Sequence, residues 1–153
     1  MALPNFAQRY EAGDVWLADC SIRPDLIRAA WEKEALAPIA SGGHWLAAEA
    51  RLATGYPVVA RIRAEQRGPV LADPASDKLW WLVPLNAAEE LAGVRHLTVR
   101  PTAWLLRCPP TGWHLEGRMW IVRPDGSGQL TDPAVLAAAF GPGGYRLPAE
   151  ATS

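Results

Sequence analysis

Lysine is nearly missing from this chain: Lys33 and Lys78 are the only two, and arginine supplies the rest of the fifteen basic residues. Sixteen acids balance them, for a formal net charge of −1. Proteins that grip a phosphate backbone usually carry a basic excess or a basic stripe. The bulk charge therefore argues against strong nonspecific nucleic-acid binding and leaves only a local patch open. Cysteine is just as scarce. Cys20 and Cys108 lie far apart, with no Cys-x-x-Cys, no paired histidines and no His-Glu-x-x-His, so no zinc site is expected. A disulfide between them stays open, although nothing points to secretion. The start, Met1-Ala-Leu-Pro-Asn-Phe6, has neither the basic nor the apolar stretch of a signal peptide. No apolar run nears the ~18 residues that span a bilayer, so the expectation is a cytoplasmic protein with no membrane partner.

Two common catalytic signatures are missing too. There is no Gly-x-x-x-x-Gly-Lys-Ser/Thr phosphate loop, and Gly126-Ser-Gly128 is too short to be one. No Gly-x-Ser-x-Gly elbow presents a serine nucleophile. Gly42-Gly43-His44 could offer amides to an anion if a helix followed, but a plain flexible loop is the preferred reading.

What the chain has in quantity is turn residues and tryptophan. Its 153 residues suit one domain, set here as 1–144 with 145–153 a flexible tail. Fourteen prolines and thirteen glycines point to many short elements. Eight tryptophans are spread along the sequence. Each can bury ~150–250 Å², so most are expected in the core and one or two at an interface.

The apolar pattern predicts an extended segment at Asp14–Asp19, then a helix from Pro24, where the missing N–H costs nothing, to Pro38. A second helix is predicted from about His44 to Thr54, capped by Gly55. Strands follow at Pro57–Ile62, Pro69–Ala72 and Lys78–Val83, with turn chemistry at Asp73–Asp77. Asn86 opens a short helix, with Glu89 placed for a capping box. Val94–Arg100, Ala103–Cys108 and Arg118–Arg123 read as further strands. Asp132 and Pro133 open a last helix that Gly141 ends. Together these give an α+β fold: a mixed, largely antiparallel sheet with helices packed mainly on one face.

Lys78-Leu-Trp-Trp-Leu-Val-Pro84, the short helix, Leu97-Thr-Val-Arg100 and Trp104-Leu-Leu-Arg-Cys-Pro-Pro-Thr111 form a series that resembles a known family. This is the bifunctional DNA primase/polymerase N-terminal family of the archaeo-eukaryotic primase superfamily, its small actinobacterial members in particular. The family reads His-Leu-Tyr-Phe on one strand, then Asp-Val-Arg, a glycine-rich turn, a hydrophobic strand and Ala-Pro-Pro-Ser. Arg100 and Pro109-Pro110 fall in step with it. The resemblance implies nucleotide-joining chemistry on two metals, held by an acidic pair and a further acid. This chain departs from each part of that set. Val70–Asp73 offers one aspartate in place of a pair, Lys78 stands at the histidine and Thr98 at the later acid. Pro101, Ala103 and Trp104 replace the turn glycines.

The resemblance therefore implies a member that has lost polymerisation, with no catalytic residue, no metal ligand and no cofactor assigned. Period-2 alternation puts Lys78, Trp80 and Leu82 on one side of their strand, and His96, Thr98 and Arg100 on one side of theirs. The resemblance pairs those sides and brings Arg107 near. Lys78, Trp80, His96, Arg100 and Arg107 are thus the candidate binding residues. Cations interleaved with aromatic rings suit single-stranded nucleic acid or a nucleotide, and equally a protein interface. A blander reading has helices covering this face and Trp80 in the core. The expected function is a binding or regulatory module, with a protein partner or homo-oligomer favoured over nucleic acid. The alternative is a metal-dependent nucleotidyltransferase with a weakened site around Asp73.

Overall fold

The computed structural model describes residues 6–144. In order these form α1 (Phe6–Asp19), α2 (Pro24–Glu32), β1 (Ala37–Ala40), β2 (Leu46–Ala50) and α3 (Leu52–Arg61). Then come β3 (Val70–Asp73), β4 (Lys78–Val83), α4 (Ala87–Leu91), β5 (Thr98–Val99), β6 (Leu105–Cys108), β7 (Met119–Val122) and α5 (Pro133–Gly144). Five strands make one sheet in the order β5-β2-β4-β3-β7, and β1 and β6 pair as a separate ribbon. Every pairing is antiparallel. The expected α+β class with antiparallel pairing is what the chain adopts.

Strand β4 organises the molecule because its alternating side chains feed two cores. Leu79, Trp81 and Val83 point to the first sheet face. There they join Leu46, Ala48 and Val70 against Val58 and Val59 of α3, Leu91 of α4 and Leu136 and Phe140 of α5. The Phe140 ring meets Trp81 edge-on at 5.7 Å between centroids. Trp80 and Leu82 point the other way, with Ala47, Leu71 and Trp120, against Leu17 of α1, Ile27 and Trp31 of α2 and the inner side of the ribbon. Helices therefore lie on both faces and not mainly on one. A second face this apolar needs a cover of its own, and α1, α2 and the ribbon supply it.

Several predicted elements hold. Lys78–Val83 is a strand, Pro69–Ala72 is β3 shifted by one residue, and Asp73–Asp77 turns through a short 3-10 helix. Asp132 Oδ1 accepts from the amides of Ala134 and Val135, as an N-cap should. Gly141 breaks α5 with φ 72°. Others need correction. Asp14–Asp19 lies in a helix, and the Pro24 helix stops at Glu32, leaving Ala37–Ala40 as a strand that was not foreseen. Residues 46–50 are a strand whose every position is buried. A strand covered on both sides shows no alternation and cannot be told from a helix by period. Pro57–Arg61 falls in α3 despite Pro57 inside it, and Ile62 is its extended C-cap. Gly55 does not end a helix there; it lets α3 cross β4, since a Cβ on it would come within 2.9 Å of the Trp81 ring. Asn86 precedes α4 without a side-chain cap, so the capping box does not form. Of Val94–Arg100 only Thr98–Val99 is strand, and Ala103–Cys108 joins the ribbon instead of the main sheet. The predicted tail at 145–153 lies outside the described residues.

Candidate functional site

One end of the second sheet face is polar, and its centre is Glu49 on β2. Register places Glu49 directly opposite Trp80 on β4 and opposite Thr98 on β5. Its carboxylate is 8% exposed. Oε1 accepts from Trp80 Nε1 at 2.9 Å and Arg100 Nε at 3.2 Å. Oε2 accepts from Arg100 Nη2 at 2.7 Å and Lys78 Nζ at 3.2 Å. Arg100 thus grips both oxygens in the forked geometry that only guanidinium offers. Burial pushes the Glu49 carboxyl up, but the bonds from Arg100, Trp80 and Lys78 outweigh it and hold it below the usual glutamate value.

A second acid, Asp73 at the end of β3, repeats the arrangement. Oδ2 accepts from Arg118 Nε at 3.1 Å and Ser76 Oγ at 3.0 Å, and Oδ1 from the Ser76 amide. Here too desolvation is opposed by hydrogen bonds from Ser76 and Arg118, and the carboxyl lies below its ordinary value. Arg118 also stacks over the Trp80 ring at 4.7 Å and donates to the Arg107 carbonyl. Trp104 lies 6.2 Å from the Trp80 ring, with Arg100 over its own face at 5.6 Å.

Of the five candidate residues, Lys78, Trp80 and Arg100 come together, but around an acid the sequence reading had not singled out. Trp80 is 3% exposed, so it is a core residue with no face free for stacking. His96 sits in an exposed turn with φ 67°; the strand that would have aligned it with Arg100 is too short to reach it. Arg107 points outward from the ribbon, beside Pro38, and touches the cluster only through its carbonyl. Glu49, Arg118 and Trp104 were missed. The available signal was Glu49 itself, a lone charge inside Trp45-Leu-Ala-Ala-Glu-Ala50. Read as a helix, that segment had a solvent side for it; as a buried strand it has none.

Asp73 and Asp77 do not combine into a metal site. Asp77 turns to Arg51 and to the Ala53 amide, on partners unrelated to those of Asp73. Among the described residues no group of three or more His, Cys, Asp or Glu side chains could hold a metal ion. Both cysteines are free and buried, and burial pushes the Cys20 thiol up to about 11.

The outer side of the ribbon forms a different feature. Pro38, Ala40 and Leu105 floor a cleft of about 440 Å³, walled by the α1–α2 corner with Ile22 and Leu26 and by Gly42-Gly43 and Thr102-Ala103. Ile22 is 97% exposed, and Leu26 and Leu105 are each more than half exposed. Gly42-Gly43 leads into a strand, not a helix, so it has no helix terminus to offer an anion. Within the described residues no helix is long and apolar enough to cross a membrane. No family model, no curated protein and no solved structure matches this chain.

Proposed function

We propose that this chain is a non-catalytic module of primase–polymerase-like design that binds a protein partner or a second copy of itself in the cytoplasm. The observation that carries the reading is the charge state of the polar sheet end. Glu49 and Asp73, the acids that could face a nucleotide there, are already matched by Arg100, Lys78 and Arg118. A divalent ion would have to displace those cations and then share too few oxygens. The competing reading, a weakened nucleotidyltransferase around Asp73, would need the second acid that Asp77 does not provide. The cleft on the ribbon supplies the docking surface: exposed Ile22, Leu26 and Leu105 together with Arg23 match the apolar-plus-arginine make-up of protein interfaces. Two free thiols fit a reducing compartment.

Primer extension with magnesium or manganese tests the first half. No incorporation above a denatured control is expected, and incorporation that Asp73→Ala abolishes would overturn the reading. Sedimentation across a concentration range tests the second half. Self-association lost in Leu105→Glu identifies a second copy as the occupant. A wild type that stays monomeric leaves a different protein as the partner, to be sought by cross-linking at the same surface.

A further inference from the structure

Strands β1 and β6 pair only with each other, so each has one edge with no strand beside it. Register decides which backbone groups line the β1 edge. Just beyond the ribbon, the Ser41 amide donates to the Trp104 carbonyl at 2.9 Å. Alternation then turns the N–H and C=O of Ala37 and Ile39 toward β6, and those of Pro38 and Ala40 away from it. Two further features agree. Pro38 has no N–H, and proline within a strand belongs where that group would face outward. Arg107, opposite Pro38, gives its carbonyl to Arg118 and not to β1. The outward groups of β1 are therefore the Pro38 carbonyl and the N–H and carbonyl of Ala40. None of the three has a hydrogen-bond partner among the described residues. Pro38 and Ala40 are both exposed and both line the cleft of about 440 Å³. Helix α2 passes beside this edge: Ile27 joins Ile39 in the core beneath the ribbon, while Leu26 reaches the cleft above it. Leu105, across the ribbon from Ala40, completes the apolar floor.

We propose that the cleft takes an extended, uncharged segment of another protein, which adds to β1 as a third strand of the ribbon. The proposal rests on the reading of the cleft as a docking surface and specifies its occupant. An apolar groove alone would accept a helix, but a helix spends its backbone bonds internally and leaves the β1 edge unpaired. An extended segment supplies what that edge lacks. One of its residues exchanges both backbone bonds with Ala40, and a further N–H reaches the Pro38 carbonyl. Its alternate side chains fall on the apolar side of the cleft. Arg23, the one charged residue of the lining, is already held by Asp25, so nothing there selects a charged side chain. A second copy paired edge to edge about a two-fold axis would drive the two α1–α2 corners into each other. The edge is short and Pro38 withholds one donor, so the pairing is weak and reversible.

Panning a displayed library of random linear peptides on the full chain supplies the probe. A selected peptide is then made with a single N-methyl group at each position in turn, and its affinity is measured by calorimetry. Methylation at alternate positions, where the N–H faces β1, should weaken binding about tenfold and leave it little changed in between. Ala40→Pro removes the outward donor without touching the ladder to β6, and should also weaken binding about tenfold. Pro38→Ala adds a donor and should tighten it, and Leu105→Glu should abolish it. If no selected peptide depends on Leu105, the docking reading and this proposal fall together. A peptide lost in Leu105→Glu but indifferent to N-methylation and to Ala40→Pro keeps the docking surface and overturns strand addition. Should a variant unfold, the N-methyl series on the wild type still decides. So does hydrogen exchange of the Ala40 amide, which the peptide should slow; unslowed exchange would overturn the proposal.

Discussion

Trp80 and Trp81 are neighbours on one strand, are almost equally buried, and face opposite environments. Trp81 sits in a wholly apolar layer. Its Nε1 is buried with no hydrogen-bond partner, and what holds it is contact with Phe140 and the helices of the first face. Trp80 sits where the second face turns polar, with its Nε1 on Glu49 and its ring under Arg118. One side of the sheet is specified by shape alone. The other is specified by shape over most of its area and by directed, charged contacts at one end. Apolar packing tolerates a change of chemistry if volume is kept, whereas a buried polar network tolerates the loss of no member.

The largest expected effect is at Glu49. Glu49→Ala strands Lys78, Arg100 and Trp80 without their acceptor. Breaking a fully buried pair costs ~3–5 kcal/mol. Lys78 and Arg100 are a third or more exposed and can turn to water, so about 2–3 kcal/mol is expected from denaturant unfolding. The pH dependence carries a signature. The folded carboxyl titrates below its ordinary 4.5, so its stabilisation is complete above about that pH and fades as pH falls through the lower folded value. The variant should lose this part of the acid limb of the stability curve. An unchanged limb would mean that the network adds no stability.

A smaller effect separates the two tryptophans. Trp80→Phe removes a donor to a charged acceptor, which costs ~1.5–3 kcal/mol in addition to lost area. Trp81→Phe gives up the same ring area but also removes a buried, unpaired N–H, so it should cost less. Equal losses in thermal unfolding would show that the two faces do not differ in kind. The smallest effect is expected at His96. It is exposed at φ 67°, and His96→Gly should leave stability within ~0.5 kcal/mol or raise it slightly. A large loss would restore this residue to the polar cluster.

The same contrast explains what was legible beforehand. Lys78–Val83 could be read because branched and aromatic side chains bounded by Pro74 and Pro84 favour a strand in almost any context. Leu46–Ala50 could not, because its alanines favour helix and only burial on both sides makes it a strand. That one misreading hid Glu49 and with it the centre of the polar end. Gly55 was taken for a helix end because glycine has two uses, and only the nearby Trp81 ring distinguishes them. Gly13 is similar: a Cβ there would collide with the Pro124 carbonyl, a contact across the whole chain that no local window reveals. Lys78 and Arg100 do meet, both on Glu49; alternation put each on one side of its own strand, but the pairing of those sides came from the family resemblance and not from the residues' spacing.

The ribbon also has a consequence for the order of assembly. Its strands come from opposite halves of the chain, and Trp31 Nε1 on the Cys108 carbonyl joins residues 77 positions apart. The segment between them contains β2, β3, β4 and β5. Closing so long a loop from the unfolded state is entropically costly, and the cost falls once the sheet has already drawn its ends together. The ribbon thus acts as a clasp fastened late over a sheet that forms first. Contacts absent from the folding transition state govern escape from the native state more than arrival at it. Weakening the clasp would therefore shorten the lifetime of the folded chain while leaving its rate of formation nearly unchanged.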